Sequence, residues 1–391
     1  MNFLVFSDDW GVHPSSCQHI FRELAKRHPT IWVNTVGMRT PRLSLDDARK
    51  AARKLRGMLP RRGRSGANRS GSHAALSEHD SGAPLDLTVC APPMLPLARP
   101  RLAMRWNFRS IERTVRRALD ARGLDAPCLV TTVPNVWGAV PRCGARRVVY
   151  YCVDDFSEWP GLERETILDM ERRLLPHVDR VICTSQALLD RFTDRFPSSL
   201  LTHGVDLETF SPSESPRPHP LLEHIPPPRV GYFGLLDDRT DRELVLSVAR
   251  ALPNVSFVLT GPTEGDLGSW RSLPNIHLTG PVPYRELPSI VAGWHACFLP
   301  YRINALTEKI NPLKLKEYLA CGKPVLSTAL PEAVRLSDHL RIASDAGEWT
   351  RAIDEATRGA WSVDRVRTEA FLRGESWQCK ADEFLRVCEA E

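Results

Sequence analysis

Asn311-Pro312-Leu313-Lys314-Leu315-Lys316-Glu317-Tyr318-Leu319-Ala320-Cys321-Gly322-Lys323-Pro324-Val325-Leu326-Ser327-Thr328 is the stretch that decides the reading of this chain. Asn311 suits an N-cap and Pro312 the first helical position. Leu313 to Cys321 then reads as a short helix stopped by Gly322 and Pro324, with a buried strand from Pro324 to Ser327. Lys314 and Glu317 lie three apart and share a face near the helix start. A helix N-terminus with a lysine attracts a diphosphate. A carboxylate one turn later can accept hydrogen bonds from two neighbouring ribose hydroxyls. These are the parts of a nucleotide-sugar site. The plain alternative is an ordinary helix-to-strand unit of an α/β domain.

Outward from this unit, short apolar runs alternate with helical patterns. Strands are predicted at Phe3 to Phe6, Thr30 to Val36, Cys128 to Thr132, Arg147 to Val153 and Arg180 to Thr184, with a helix over Ser16 to His28. The second half repeats the pattern, with strands at Arg229 to Phe233, Ser256 to Thr260, Asn275 to Thr279 and Ala296 to Pro300. Helices follow at about Asp241 to Leu252 and Tyr284 to Ala292. Continuous apolar strands suggest parallel sheets covered on both faces. Ser211 to Arg229 holds seven prolines and little periodicity, and reads as the interdomain connection. The expected architecture is α/β, with two doubly wound Rossmann-like domains facing a cleft at their strand carboxyl ends. The predicted divisions are 1–206, a linker at 207–228, 229–372, and a last helix over 373–391.

The 391 residues, 42% apolar, can bury two sizeable cores. No apolar run approaches the roughly 18 residues of a membrane span. The start reads as a first strand, lacking the basic region of a signal peptide. Ten scattered cysteines without a Cys-x-x-Cys pair fit a reduced cytoplasm and argue against structural zinc. The net charge of +5 is mild and implies no nucleic-acid partner. Between Arg49 and Arg64, however, eight of sixteen residues are basic and none is acidic.

The 311–328 segment resembles the donor-binding helix of retaining glycosyltransferases of the GT-B fold, family four. Glu317 matches the second glutamate of that family's paired-glutamate motif, and Ala320, Gly322, Pro324 and Val325 match the run after it. The first glutamate should fall at 309, where this chain has Lys309 beside Glu308. His203-Gly204-Val205-Asp206 with Phe210, Thr184-Ser185-Gln186, Gly231-Tyr232-Phe233-Gly234 and Gly280-Pro281-Val282-Pro283-Tyr284 extend the likeness. Ser376-Trp377 looks like the start of the family's last helix, which crosses back onto the amino-terminal domain.

The resemblance implies a sugar transferred with retention from a nucleotide-sugar donor. It implies no bound metal, because basic side chains and helix termini neutralise the diphosphate. No His/Asp/Glu cluster has convincing ligand spacing, and no cofactor is expected. Donor-binding candidates are Gly234, Arg239, Lys309, Asn311, Leu313, Lys314 and Glu317. By resemblance the loop after Gly234 lends Arg239 to the diphosphate, with Lys314 as its partner. The alternative makes Arg239 a solvated loop charge beside Asp237, Asp238 and Asp241.

Asp8 to Ser15 joins the first strand to the first helix, where the family places a Gly-rich loop. Only Gly11 remains of those glycines. Gly11 and Ser15 are the acceptor-side candidates, and His13 could orient an acceptor hydroxyl or be incidental. Asp154 and Asp155 close the Arg147 strand, and as paired carboxylates could act as acid and base. They could equally cap the following loop or hold sugar hydroxyls. No nucleophile is assigned.

Ser44 and Asp47 form a capping box, and Ala48, Ala51, Ala52, Leu55, Met58 and Leu59 make one helical stripe. Phe108, Ile111, Val115, Ala118 and Leu119 make a second, flanked by Arg105, Arg109, Arg113, Arg116 and Arg117. The 44–120 region reads as a basic insertion, with 60–85 a mobile loop. Basic amphipathic helices suit contact with anionic lipid at the cytoplasmic membrane face, where a lipid-linked saccharide acceptor would lie. Two core-packed helices with solvated faces are the alternative. Against transfer stand two further classes: a nucleotide-sugar epimerase or phosphorylase, and a non-catalytic sugar-binding protein.

Overall fold

A computed structural model describes residues 1–12, 15–35, 38, 84–95, 101–211, 216–265, 268 and 270–390. His13, the predicted 44–59 helix and nearly all of the 60–85 loop lie outside the described residues. The chain divides into two units. Unit 1 comprises Met1–Cys183, Leu189–Leu200 and Ala381–Glu391, and unit 2 comprises Thr184–Leu188 and Leu201–Lys380.

Among the described residues, unit 1 is built on seven parallel strands: β1 (Phe3–Ser7), β2 (Thr30–Asn34), β3 (Leu87–Cys90), β4 (Cys128–Thr131), β5 (Arg147–Cys152), β6 (Arg180–Cys183) and β7 (Ser198–Leu200). Their order is β3-β2-β1-β4-β5-β6-β7. The winding therefore reverses between β1 and β4, the point where an open α/β sheet leaves a crevice at its strand carboxyl ends. Every residue of β1 is buried, which accounts for its unbroken apolar sequence. Helix α1 (Ser16–Leu24) turns Ile20, Phe21 and Leu24 inward, and Ala25 just beyond it is buried too. Helix α2 (Arg101–Arg122) buries Phe108, Ile111 and Val115, the centre of the predicted stripe. Helix α3 (Arg164–Leu174) runs between β5 and β6. The two outermost strands, β3 and β7, were not predicted. Neither has a fully buried residue, so their pairing is set by the neighbouring strand and not by apolar pattern.

Unit 2 repeats the winding with β8 (Arg229–Phe233), β9 (Ser256–Thr260), β10 (Ile276–Gly280), β11 (Ala296–Leu299), β12 (Val325–Ser327) and β13 (Arg341–Ile342). The order β10-β9-β8-β11-β12-β13 is again parallel and reverses between β8 and β11. Its helices are α4 (Arg242–Ala251), α5 (Leu287–Ala292), α6 (Leu313–Ala320), α7 (Ala346–Thr357) and α8 (Arg365–Gly374). The described parts of the stretch read as a linker, 207–211 and 216–228, belong to this unit. Asp206 caps a helical turn over Leu207–Phe210, and Phe210 and Leu222 join the unit 2 core. Proline-rich composition concealed those anchors.

The last helix, α9 (Trp377–Glu389), begins four residues later than predicted, because α8 runs to Gly374. Val205 N–H donates to the Glu375 carbonyl at 2.8 Å, pinning the junction before α9. From Ala381 onward α9 belongs to unit 1, where Phe384 packs edge-on against Phe21 at 5.7 Å and Tyr151 at 5.4 Å.

Candidate functional site

Helix α6 is placed by one aromatic side chain. Tyr318 is fully buried, and its hydroxyl accepts from the Phe233 amide at 2.9 Å while donating to the Phe233 carbonyl at 3.3 Å. Phe233 ends β8, so the helix is fastened to the strand that borders the β8/β11 crevice. The cap differs from the sequence reading. Pro312 occupies the N-cap and no side chain caps the first turn, which starts at the half-buried Leu313. Asn311 instead turns its amide to Glu332 Oε2 at 3.1 Å. Buried Glu332 also takes the Gln186 amide at 2.8 Å, so Asn311 Nδ2 supplies the donor that its second oxygen needs. The helix stops as predicted, with Gly322 at φ +67°.

The first candidate cluster gathers at the carboxyl ends of β8 and β11. Gly234, at φ +140°, follows β8, and a Cβ there would overlap the Lys314 side chain. Lys314 Nζ donates to the Tyr301 hydroxyl at 3.2 Å and lies 5.8 Å from the ring centres of both Tyr301 and Tyr232. Arg239 also lies over Tyr301, its guanidinium 5.6 Å from that ring's centre. Asp237 orients that guanidinium through contacts of 2.8 Å to Nε and 2.7 Å to Nη2. Burial alone would raise the Tyr301 pKa, but Lys314 and Arg239 hold it below the ordinary tyrosine value. Two cations thus converge beside an uncapped helix N-terminus, an arrangement suited to a diphosphate.

One turn along α6, Glu317 is 7% exposed and accepts from the Tyr284 hydroxyl at 3.1 Å. Burial raises its pKa from 4.5 to about 7, against the opposing pull of Lys314 and Tyr284. With Oε1 engaged by Tyr284, the carboxylate still has lone pairs for vicinal hydroxyls. Lys309 behaves differently. Its carbonyl accepts from Ser185 Oγ at 2.6 Å, while its side chain is half-buried and Glu308 is exposed.

In unit 1, the β1–α1 loop is tied to itself. Gly11, at φ +79°, gives its amide to Gln18 Oε1 at 2.9 Å. Ser15 caps α1 and donates to Asp8 Oδ1 at 3.2 Å, and Gln18 Nε2 donates to Asp8 Oδ2 at 2.9 Å. His13 lies outside the described residues. Asp155 is buried and caps the turn Phe156–Glu158, accepting from the Ser157 amide at 3.1 Å and its hydroxyl at 2.6 Å. Arg191 stands 3.7 Å from its other oxygen. Asp154 is half-buried next to it. The capping alternative is thus the one Asp155 displays.

Sequence reasoning gave no site role to Tyr232, Tyr301 or Lys316, and named Asp237 only as a loop acid beside Arg239. The two tyrosines follow strand positions and looked like core. Lys316 lies between Leu315 and Glu317 and is 3% exposed, its ammonium bonded to the His203 carbonyl, Thr202 Oγ1 and Glu375. Burial lowers its pKa to about 8, although Glu375 pulls the other way. The one available signal was a second lysine, two residues after Lys314, in a helix of eight residues. Among the described residues, no three His, Cys, Asp or Glu side chains gather where they could share a metal ion.

Residues 227–358 match the family described as glycosyl transferases group 1. A Bacillus subtilis (strain 168) protein, TuaH, provisionally assigned as a teichuronic acid biosynthesis glycosyltransferase, is 27% identical over 182 residues. That alignment covers 44% of this chain and 46% of TuaH, so this chain spans about half the length of the curated relative it matches. The crystal structure of Anabaena HepE in complex with UDP and glucose superposes with a TM-score of 0.64 at 13% identity, covering 100% of each chain. Sucrose-phosphate synthase from Thermosynechococcus elongatus gives 0.67 at 15% identity, covering 99% of this chain and 98% of that one. Two parallel doubly wound units and these superpositions give the chain the GT-B fold, and its segment 227–358, which carries Gly234, Lys314 and Glu317, matches the group 1 glycosyl transferases.

Proposed function

We propose that the protein moves a sugar from a nucleotide-sugar donor, with retention, onto a polysaccharide or lipid-linked saccharide acceptor. Unit 2 takes the donor and unit 1 the acceptor, at the cytoplasmic side of the membrane. The observation that carries this reading is the placing of Lys314 against Gly234, with Arg239 beside it and Glu317 one turn away. Lys314, Arg239 and the first-turn amides of α6 oppose the charge that grows on the departing diphosphate. Each such preorganised donor contributes roughly 3 kcal/mol to the transition state. Glu317 receives the ribose hydroxyls and fixes the nucleotide along the helix. The departing phosphate assists the incoming hydroxyl on the same face of the sugar, so no side-chain nucleophile takes part.

HepE was crystallised with UDP and glucose, which supports a uridine nucleotide as donor. The name of TuaH supports a cell-surface polysaccharide as product. The positive charge of Lys314 and Arg239 supports a reaction that continues in EDTA. The test is thermal stabilisation of the protein by a panel of UDP-, GDP- and dTDP-sugars, since a ligand bound only to the native state raises its melting temperature. One donor should stabilise the wild type and fail to stabilise Lys314→Ala. Equal stabilisation of wild type and variant would remove the donor assignment. Turnover assays with the selected donor and a saccharide acceptor, with and without EDTA, then test transfer and anomeric outcome.

A further inference from the structure

Helix α2 carries seven arginines against Glu112 and Asp120, a surplus of five positive charges that equals the net charge of the whole chain. Its inward stripe is satisfied within unit 1, where Phe108 stacks edge-on with Trp137 at 5.0 Å. Its outward face is unlike an ordinary solvated one. Arg105, Arg109, Arg113, Arg116 and Arg117 are all exposed there, and no acid occurs before Glu112. Between them project Leu102, 79% exposed, and Trp106, 46% exposed. Positions 102, 106, 109 and 113 follow the three-and-four spacing that keeps side chains on one helical face. Asn107 extends the patch by clamping the backbone of Leu95, donating to its carbonyl at 2.9 Å and accepting from its amide at 2.7 Å. The Leu95 side chain is itself 42% exposed.

We propose that this outward face of α2 docks on an anionic lipid bilayer. Guanidinium groups pair with lipid phosphates, and a tryptophan with a leucine between them enters the headgroup boundary. A nucleic-acid backbone would satisfy the arginines but would leave Leu102 and Trp106 without an apolar partner. A docking membrane satisfies both, and it would bring unit 1 to the surface where a lipid-linked acceptor is held. This face belongs to unit 1, whereas the donor residues belong to unit 2, so the two assignments can fail separately.

The test is co-sedimentation of the full chain with vesicles of equimolar phosphatidylglycerol and phosphatidylcholine, against vesicles of phosphatidylcholine alone. The wild type should pellet with the anionic vesicles only, and less so in high salt. Each cation near an anionic surface strengthens binding about fivefold, so Arg105→Gln/Arg109→Gln/Arg113→Gln should weaken partition on the order of a hundredfold. Leu102→Ser/Trp106→Ser should weaken it several-fold even in low salt. All these positions are exposed, and the urea midpoint of each variant should match that of the wild type, which certifies folding. Wild type left in the supernatant, or arginine variants that pellet like wild type, would overturn the proposal. So would duplex DNA that displaces the protein from vesicles while the Leu102/Trp106 variant binds them normally.

Discussion

The stem of Lys314 occupies the space that a side chain on Gly234 would need. A helix from late in unit 2 and the turn after its first strand are thereby held in register. The lysine is fixed by the absence of a Cβ opposite it, by the Tyr301 hydroxyl and by two aromatic faces. Gly234→Ala should displace the ammonium and also strain a backbone at φ +140°. Nucleotide-sugar affinity, measured calorimetrically, should fall by at least about tenfold, as expected when a charged contact is lost. Undiminished affinity in this variant would contradict the role of Lys314.

Glu317 separates binding from stability. Its folded pKa of about 7 exceeds the value of 4.5 for an unhindered carboxylate, so the folded state keeps a proton that the unfolded state has released. Its contribution is therefore intact below about pH 4.5 and is lost as pH climbs to 7, by roughly 3 kcal/mol in all. Glu317→Gln should melt higher than wild type at about pH 8 and match it near pH 4. The same variant should bind the nucleotide more weakly, and should lack the rise in affinity between about pH 6 and 8 expected of the wild type as its carboxylate ionises.

Lys316 is a structural lysine two residues from a functional one. Lys316→Met keeps the stem but takes the donor from the His203 carbonyl and Glu375, leaving Glu375 to Lys380. Urea denaturation should show a loss of about 2 kcal/mol. An unchanged midpoint would mean that the desolvation of its ammonium cancels those bonds.

Asp155 distinguishes a cap from a catalyst. Asp155→Ala should lower stability by about 1 to 2 kcal/mol, since it strips the Ser157 amide and hydroxyl of their acceptor. Asp155→Asn keeps an accepting oxygen and should recover most of that stability in urea melts. If its turnover is also near wild type, the carboxylate performs no proton transfer.

Much of this arrangement was legible in the sequence. The strands β8 and β9 fall at their predicted bounds, because parallel strands buried on both faces must be unbroken apolar runs. Lys314 and Glu317 could be paired from spacing alone, since helical geometry leaves no freedom. What stayed hidden depends on long-range neighbours. Asn311 reads as a cap until Glu332, twenty-one residues on, is seen to take its amide. Tyr301 looks like core until two cations are found to face its hydroxyl. The edge strands β3 and β7 have too little buried surface to mark themselves. Asp154 and Asp155 looked equivalent, and only the fold shows one of them closing a turn.

Unit 2 is almost one contiguous stretch, Leu201–Lys380, whereas unit 1 needs Ala381–Glu391 to bring Phe384 between Phe21 and Tyr151. In synthesis, the aromatic centre of unit 1 would wait for a segment that follows the whole of unit 2 in the chain. A released chain cut just before Phe384 would keep the whole second body and leave the first unsealed, a natural client for chaperones.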